Sequence, residues 1–211
     1  MTVQEIIDAA RHYTQVSGSS FYSGIDELRS VNRSWRDVYE RIANADDEFF
    51  VNESTLLTSS FTSVRTGVWD VTLPLDFYRL RNLVAVNGYS EIQFARKDPQ
   101  DIHQGEGYRF HNGKLRLFYI AGYDSFRIEY YPAPIEYTST ADDIVYPPQL
   151  EPLIIAYQMA MDITKIQGGD PSKHAEEYAR LWSRFESAIR NRDNLRHPKI
   201  ANIYRSTLVG Y

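Results

Sequence analysis

Residues able to do chemistry are few in this chain and poorly placed for it. Its five histidines, His12, His103, His111, His174 and His197, never fall three or four positions apart, so none forms a helical metal-binding pair. Cysteine is absent, which excludes disulfides, thiolate nucleophiles and Cys-ligated zinc or iron–sulfur centres. No GxSxG element, P-loop or GxGxxG occurs. Gly105-Glu106-Gly107 comes nearest to a phosphate loop, but it lacks the lysine and the following helix that phosphate binding uses. Three acidic groups, Asp46-Asp47-Glu48, Asp98 with Asp101, and Asp142-Asp143, could offer carboxylates for a hydrolase or oxygen ligands for Ca²⁺. Each falls at a junction or loop, where aspartate serves turns and caps, and none has the alternating ligands of an EF-hand loop. The expectation is a protein that is not an enzyme and carries no metal or cofactor.

Two further features point to binding. The stretch 119–134, YIAGYDSFRIEYYPAP, is dense in aromatics and lies near Arg109, Arg116 and Arg127, as a sugar- or base-stacking surface would. Strand alternation turns half of these rings inward, as core. A glycan-binding β module with Tyr119, Tyr123, Tyr130 and Tyr131 as its platform is therefore the second reading, and its mark would be those rings exposed in one concave patch. The other feature is charge. The chain has 23 Lys and Arg against 28 Asp and Glu, yet the stretch from Pro171 onward holds eight cations and four acids. An acidic body with a basic, partly apolar C-terminal arm suits docking onto an acidic partner or neighbouring subunit. The candidate docking residues are Arg190, Arg192, Arg196, Lys199, Ile200, Ile203, Tyr204, Arg205 and Leu208.

The elements that must carry these residues fall into three blocks. At 211 residues, 43% hydrophobic and 24% charged, the chain has the composition of an ordinary globular protein. It contains no apolar run long enough for a transmembrane helix and no basic-then-apolar signal pattern at its start. Thr2 and Glu5 make a capping box before Val3, Ile6, Ala10 and Tyr13, which recur at helical spacing. A second helix over 25–43 lines up Leu28, Val31, Trp35, Val38 and Ile42 on one face.

Alternation then takes over, with strands expected at 54–57, 68–73, 80–87, 91–95, 107–111, 114–120 and 126–131. Asn112-Gly113 joins two of them as a two-residue hairpin. Pro147, Pro148 and Pro152 place the start of a third helix near Gln149. Gly168-Gly169 closes it, and Asp170-Pro171 caps a fourth that carries Ala175, Tyr178, Trp182, Phe185 and Ile189. The fold class is α+β: a four-helix bundle over 1–47 and 147–190, an inserted antiparallel β-sandwich or small barrel over 48–146, and an arm over 191–211.

The opening IDELRSVNRSWRDVYERIANADDEFF, the motif LPLDFYRLRNL at 73–83, and the closing IIAYQMAMDI, YARLWSRFESAI and IYR together resemble the head-to-tail adaptor, or connector, proteins of tailed bacteriophages. The long β insertion is similar to that of the short-tailed-phage type. The resemblance implies a non-enzymatic virion protein made in the host bacterium's cytoplasm. It would form a homo-oligomeric ring, commonly a dodecamer, between the portal protein and a tail or nozzle protein, with a channel for double-stranded DNA. It implies that the C-terminal arm grips the portal and that the β block faces the tail or neighbouring fibres, with Phe77, Tyr78, Arg79, Tyr123 and Tyr131 as candidate interface residues.

Overall fold

The N-terminal capping box forms. In the computed structural model of the protein, which describes residues 1–14, 24–45, 48–98 and 105–196, the Thr2 N–H donates to Glu5 Oε2 at 2.8 Å. The Glu5 N–H donates back to Thr2 Oγ1 at 3.2 Å. Helix α1 (Val3–Thr14) follows and buries Val3, Ile6, Ile7 and Ala10. Helix α2 (Gly24–Asn44) buries Val31, Trp35, Val38 and Ile42 at the expected spacing. Helix α3 (Leu153–Ile166) begins four residues later than the sequence suggests, because Pro152 occupies the cap and the chain before it turns instead of coiling. It is buried on several sides, through Ile154, Ile155, Ala156, Met159, Ala160, Met161 and Ile163, and packs against α1, α2 and a fourth helix, α4 (Ser172–Arg196).

Between the last two helices the Gly168 N–H donates to the Lys165 carbonyl at 3.0 Å and the Gly169 N–H to the Thr164 carbonyl at 2.9 Å. This is a Schellman closure that needs Gly168 at φ +73°. Asp170 then accepts the Ser172 N–H at 3.0 Å, capping α4 as its spacing from Pro171 predicts. Helix α4 continues to Arg196, into the stretch read from the sequence as an arm.

The chain divides into two compact units: Met1–Ala45 with Glu136–Tyr211, and Asp46–Ile135. The first is closed by a clip across its two halves. The Asn32 side chain on α2 donates to the Tyr137 carbonyl and accepts the Tyr137 N–H, both at 2.8 Å. Nearby, the first free N–H groups of α1 find acceptors in the same segment, Val3 to the Asp142 carbonyl and Gln4 to that of Thr140, each at 2.9 Å.

The second unit holds eight strands: β1 (Asn52–Leu57), β2 (Thr62–Arg65), β3 (Val68–Val71), β4 (Phe77–Asn87), β5 (Ser90–Gln93), β6 (Gly107–His111), β7 (Lys114–Phe118) and β8 (Ser125–Pro132). They form two antiparallel four-stranded sheets, ordered β1-β8-β4-β5 and β2-β3-β7-β6. One apolar core lies between them, with Leu83, Ala85, Phe126, Ile128 and Tyr130 from the first sheet and Val71, Leu115 and Leu117 from the second.

Strand β2 is not visible in the sequence pattern. All four of its residues are exposed, so no alternation marks it, and only pairing with β3 makes it a strand. The β6–β7 turn is as expected, with Asn112 at φ 48° and Gly113 at φ 73°. Gly107 is required by a close approach, since a Cβ there would lie 2.9 Å from the Ala95 carbonyl oxygen.

Asn32→Ala leaves the N–H and carbonyl of Tyr137 without their partner. The expected loss is about 2–4 kcal/mol of unfolding free energy, measured by denaturant titration.

Candidate contact surfaces

At the far end of α2, the Arg41 guanidinium lies over two rings of α4, 5.3 Å from the centroid of Tyr178 and 4.4 Å from that of Trp182. Trp182 in turn donates its indole N–H to Glu186 at 2.6 Å. One turn further on, an open groove is lined by Ala45, Glu186, Ile189 and Arg190. Arg190 is exposed there and is the one docking-arm candidate whose side chain falls within the described region. Arg192 and Arg196 lie on the last turns of α4. Lys199, Ile200, Ile203, Tyr204, Arg205 and Leu208 lie outside the described residues.

In the β unit, the 73–83 motif builds a launch point for β4. The Phe77 N–H donates to the Pro74 carbonyl at 3.0 Å, closing a turn, and leaves Leu75 fully exposed at its tip. Asp76 ties this turn to two strands. It accepts the Tyr130 hydroxyl at 3.0 Å and the Asn52 amide at 3.2 Å. Burial, with the Asp76 carboxylate beside it, holds the Tyr130 phenol above its usual pKa.

The five candidate interface residues are separated by this arrangement. Phe77 packs on Phe110 and Tyr130, with ring centroids 5.9 and 5.6 Å away. Tyr123 packs against Phe94 and Phe126 and donates its hydroxyl to Glu106 at 2.7 Å. Tyr131 is 1% exposed. Tyr78, at 42%, and Arg79 are the two that reach the surface. The glycan platform is not assembled either. Tyr119 is exposed, but Tyr130 and Tyr131 are buried and Tyr123 is half-buried, so no concave patch of the four rings exists. Alternation turned Tyr130 inward to the sandwich core, while Tyr131, on the opposite face of β8, is buried as well.

The charged groups mostly serve the fold. Arg127 makes a bidentate pair with Glu91, at 2.7 and 2.8 Å, and lies 3.8 Å from Glu53. Arg81 bridges Glu48 and Glu129, both at 3.2 Å. Arg116 grips Asp70 with two bonds, of 2.6 and 2.9 Å, and these hold the Asp70 carboxyl below its usual pKa against the opposing effect of burial. Of the acidic groups, Asp142 accepts the Thr138 and Ser139 N–H groups as a turn acceptor, while Asp143 lies 4.0 Å from the N-terminal amine. Asp46, Asp47 and Asp101 lie outside the described residues, as do His103 and His197. Among the described residues no cluster of three His, Asp or Glu side chains could hold a metal, and no helix is long and apolar enough to cross a membrane.

Caps, clips and ion pairs stiffen the two units of this α+β fold and leave selected side chains at the surface. The chain belongs to the SU10 adaptor protein family, whose model matches residues 1–202. The resemblance to adaptors seen in its motifs is thus borne out at the level of the family. No curated protein matches the chain. Among solved structures it is similar to one described as "Neck of empty GTA particle computed with C6 symmetry", at 13% identity over 74% of this chain and 76% of that one, with a TM-score of 0.24.

Substitutions at two positions, Asp70 and Arg41, test these contacts. Asp70 has a lowered folded pKa, so the stability it adds is complete above the unfolded carboxylate value of about 4 and is lost as the pH falls through the folded value. The stability difference between the native protein and Asp70→Asn should therefore be constant above about pH 4 and shrink below it, as read by denaturant titrations across that range. Arg41→Ala should cost about 1 kcal/mol, with Arg41→Lys recovering part of it, since both ring contacts need a cation at that position.

Proposed function

We propose that this chain is a non-enzymatic head–tail adaptor of a virion, and that its copies close into a ring, a dodecamer, between the capsid portal and a tail or nozzle protein. Double-stranded DNA passes through the channel of that ring without sequence-specific contact. Membership of the adaptor family over residues 1–202 carries this reading. A ring of identical chains needs two different lateral surfaces that meet head to tail and close by rotation. Two rigid units of unlike structure in one chain provide such unlike surfaces.

In this reading the C-terminal segment grips the portal. The cations Arg190, Arg192 and Arg196 lead from α4 toward Lys199 and Arg205, and Ile200, Ile203, Tyr204 and Leu208 supply apolar contact. Tyr78 and Arg79 are of the residue types that dominate interface energetics, and they serve the tail-side contact. No cofactor enters this function.

Light scattering on the protein mixed with portal rings of the same virus tests the proposal. A stoichiometric complex is expected, and it should be lost when residues 197–211 are removed, a deletion that leaves α4 whole. A protein that ignores the portal at every ratio would overturn the adaptor reading.

A further inference from the structure

A strand at the edge of a sheet presents a row of unpaired backbone N–H and C=O groups, and folded proteins normally cover, bulge or charge such edges. The second sheet of the β unit does so. Its edge strand β2 has a bulge between Ser63 and Arg65. Strand β6 is covered by residues 95–97, where the Tyr108 N–H donates to the Ala95 carbonyl at 3.0 Å and the Lys97 N–H to the Tyr108 carbonyl at 2.8 Å. The first sheet is different. Strand β1 pairs with β8 in unbroken register from Asn52 to Leu57, and β5 with β4 from Ser90 to Gln93. Neither edge strand contains lysine or proline. Their two glutamates lie back on their own sheet, Glu91 paired with Arg127 at 2.7 Å and Glu53 3.8 Å from it.

The ladders fix which backbone groups are left over. The Phe94 N–H donates to the Leu83 carbonyl at 2.7 Å and the Thr58 N–H to the Asp124 carbonyl at 3.3 Å, each one residue past a paired strand. Antiparallel pairs alternate between bonded and non-bonded. The backbones of Glu91 and Gln93 on β5, and of Glu53, Thr55 and Leu57 on β1, therefore point away from the sheet. Among the described residues, one group of this set is engaged: the Leu57 carbonyl accepts the Ser60 hydroxyl at 2.7 Å. All five residues carry their side chains on the outer face, because Ile92, Leu56 and Ser54 stand opposite the core residues Ala85, Phe126 and Ile128. Joining the two edges thus keeps inner face with inner face. It also brings Ile92, 46% exposed at one rim of the core, beside Leu56, which packs on the core at the other rim.

We infer that β5 of one copy pairs with β1 of the next copy of this chain, so that the first sheet runs on from subunit to subunit. The two strands lie at opposite edges of one four-stranded antiparallel sheet and run in opposite directions. A rotation about an axis along the strands therefore makes an antiparallel junction, with Ile92 opposite Leu56. Glu91 then faces Leu57 and not Glu53, which avoids a like-charge pair. Two-fold pairing of β1 with β1, or of β5 with β5, would leave the other edge open, whereas this heterologous junction uses both and closes by rotation. The inference rests on the reading that copies of this chain form a ring, and it adds which strands join them.

The chain has no cysteine, so disulfide trapping reports only on introduced pairs. Leu56→Cys/Ile92→Cys in the full chain, oxidised alone and on portal rings, is expected to give a ladder of linked oligomers on a non-reducing gel, since opposed residues of a non-bonded pair come within disulfide reach. Each single variant should stay monomeric. Thr55→Cys/Gln93→Cys, at exposed positions opposed in the same register, should give the same ladder without touching the core. Thr55→Pro removes an N–H that points away from β8, where an edge strand accepts proline. Added to Leu56→Cys/Ile92→Cys, it should abolish the ladder and leave the unfolding midpoint unchanged. No ladder from either pair would overturn the inference. So would dimers from Leu56→Cys or Ile92→Cys alone, which mark like edges pairing, or a ladder that survives Thr55→Pro. Portal binding by light scattering is read separately: copies that bind the portal without a ladder defeat this inference and leave the adaptor reading standing, and a ladder from protein that ignores the portal does the reverse.

Discussion

The polar contact that ties the two chain segments of the helical unit together is made by the side chain of Asn32. A ninety-residue insertion separates the N-terminal helices from the C-terminal ones, and chain connectivity alone does nothing to bring them back together. The apolar faces of the helices meet in a shared core, and Asn32 adds a polar tie by presenting an amide to the backbone of Tyr137, 105 positions away, in the donor-and-acceptor pattern of a neighbouring strand. The Tyr137 ring is then buried near Trp35, and its hydroxyl accepts the Val145 N–H at 3.0 Å. The segment so anchored supplies the carbonyls that finish the first turn of α1. One polar pair thereby ties α2 to the segment that also caps α1, because the Tyr137 backbone groups it joins would otherwise be buried without a partner.

The tyrosines illustrate how such a chain divides its resources. Sixteen of them in one sequence suggest contact surfaces, yet Tyr39, Tyr130, Tyr131, Tyr137 and Tyr178 are buried in this chain. The phenol lets a large ring fill a core while its oxygen satisfies a local need, as Tyr130 does with Asp76 and Tyr123 with Glu106. Tyr78, Tyr89 and Tyr119 stay exposed.

An adaptor needs rigid surfaces more than reactive ones. Three of its guanidinium groups, Arg81, Arg116 and Arg127, pair with carboxylates on other strands of their sheets. Among the acidic groups whose spacing could suit catalysis, Glu48 and Asp143 serve the fold: Glu48 pairs with Arg81, and Asp143 lies 4.0 Å from the N-terminal amine. Asp142 is the clearest case, holding two backbone N–H groups and nothing else of consequence to chemistry.

What the sequence by itself determined is the local grammar. The Thr2–Glu5 capping box, the Asn112-Gly113 hairpin, the glycine closure of α3 and the Asp170 cap of α4 were all legible, since each is decided by residues within a few positions of one another. So was the α+β class, from the change of period. The family was legible from motifs spread along the chain. Tertiary structure alone decided that β2 is a strand, that Tyr131 is buried while Tyr78 is not, that Asn32 meets Tyr137, and that Arg109 faces Arg116. These are outcomes of strand order and of pairing across long stretches of chain. A shift of one residue in register would have exchanged every inward side chain for an outward one, and nothing in a single sequence sets that register until the core has closed around it.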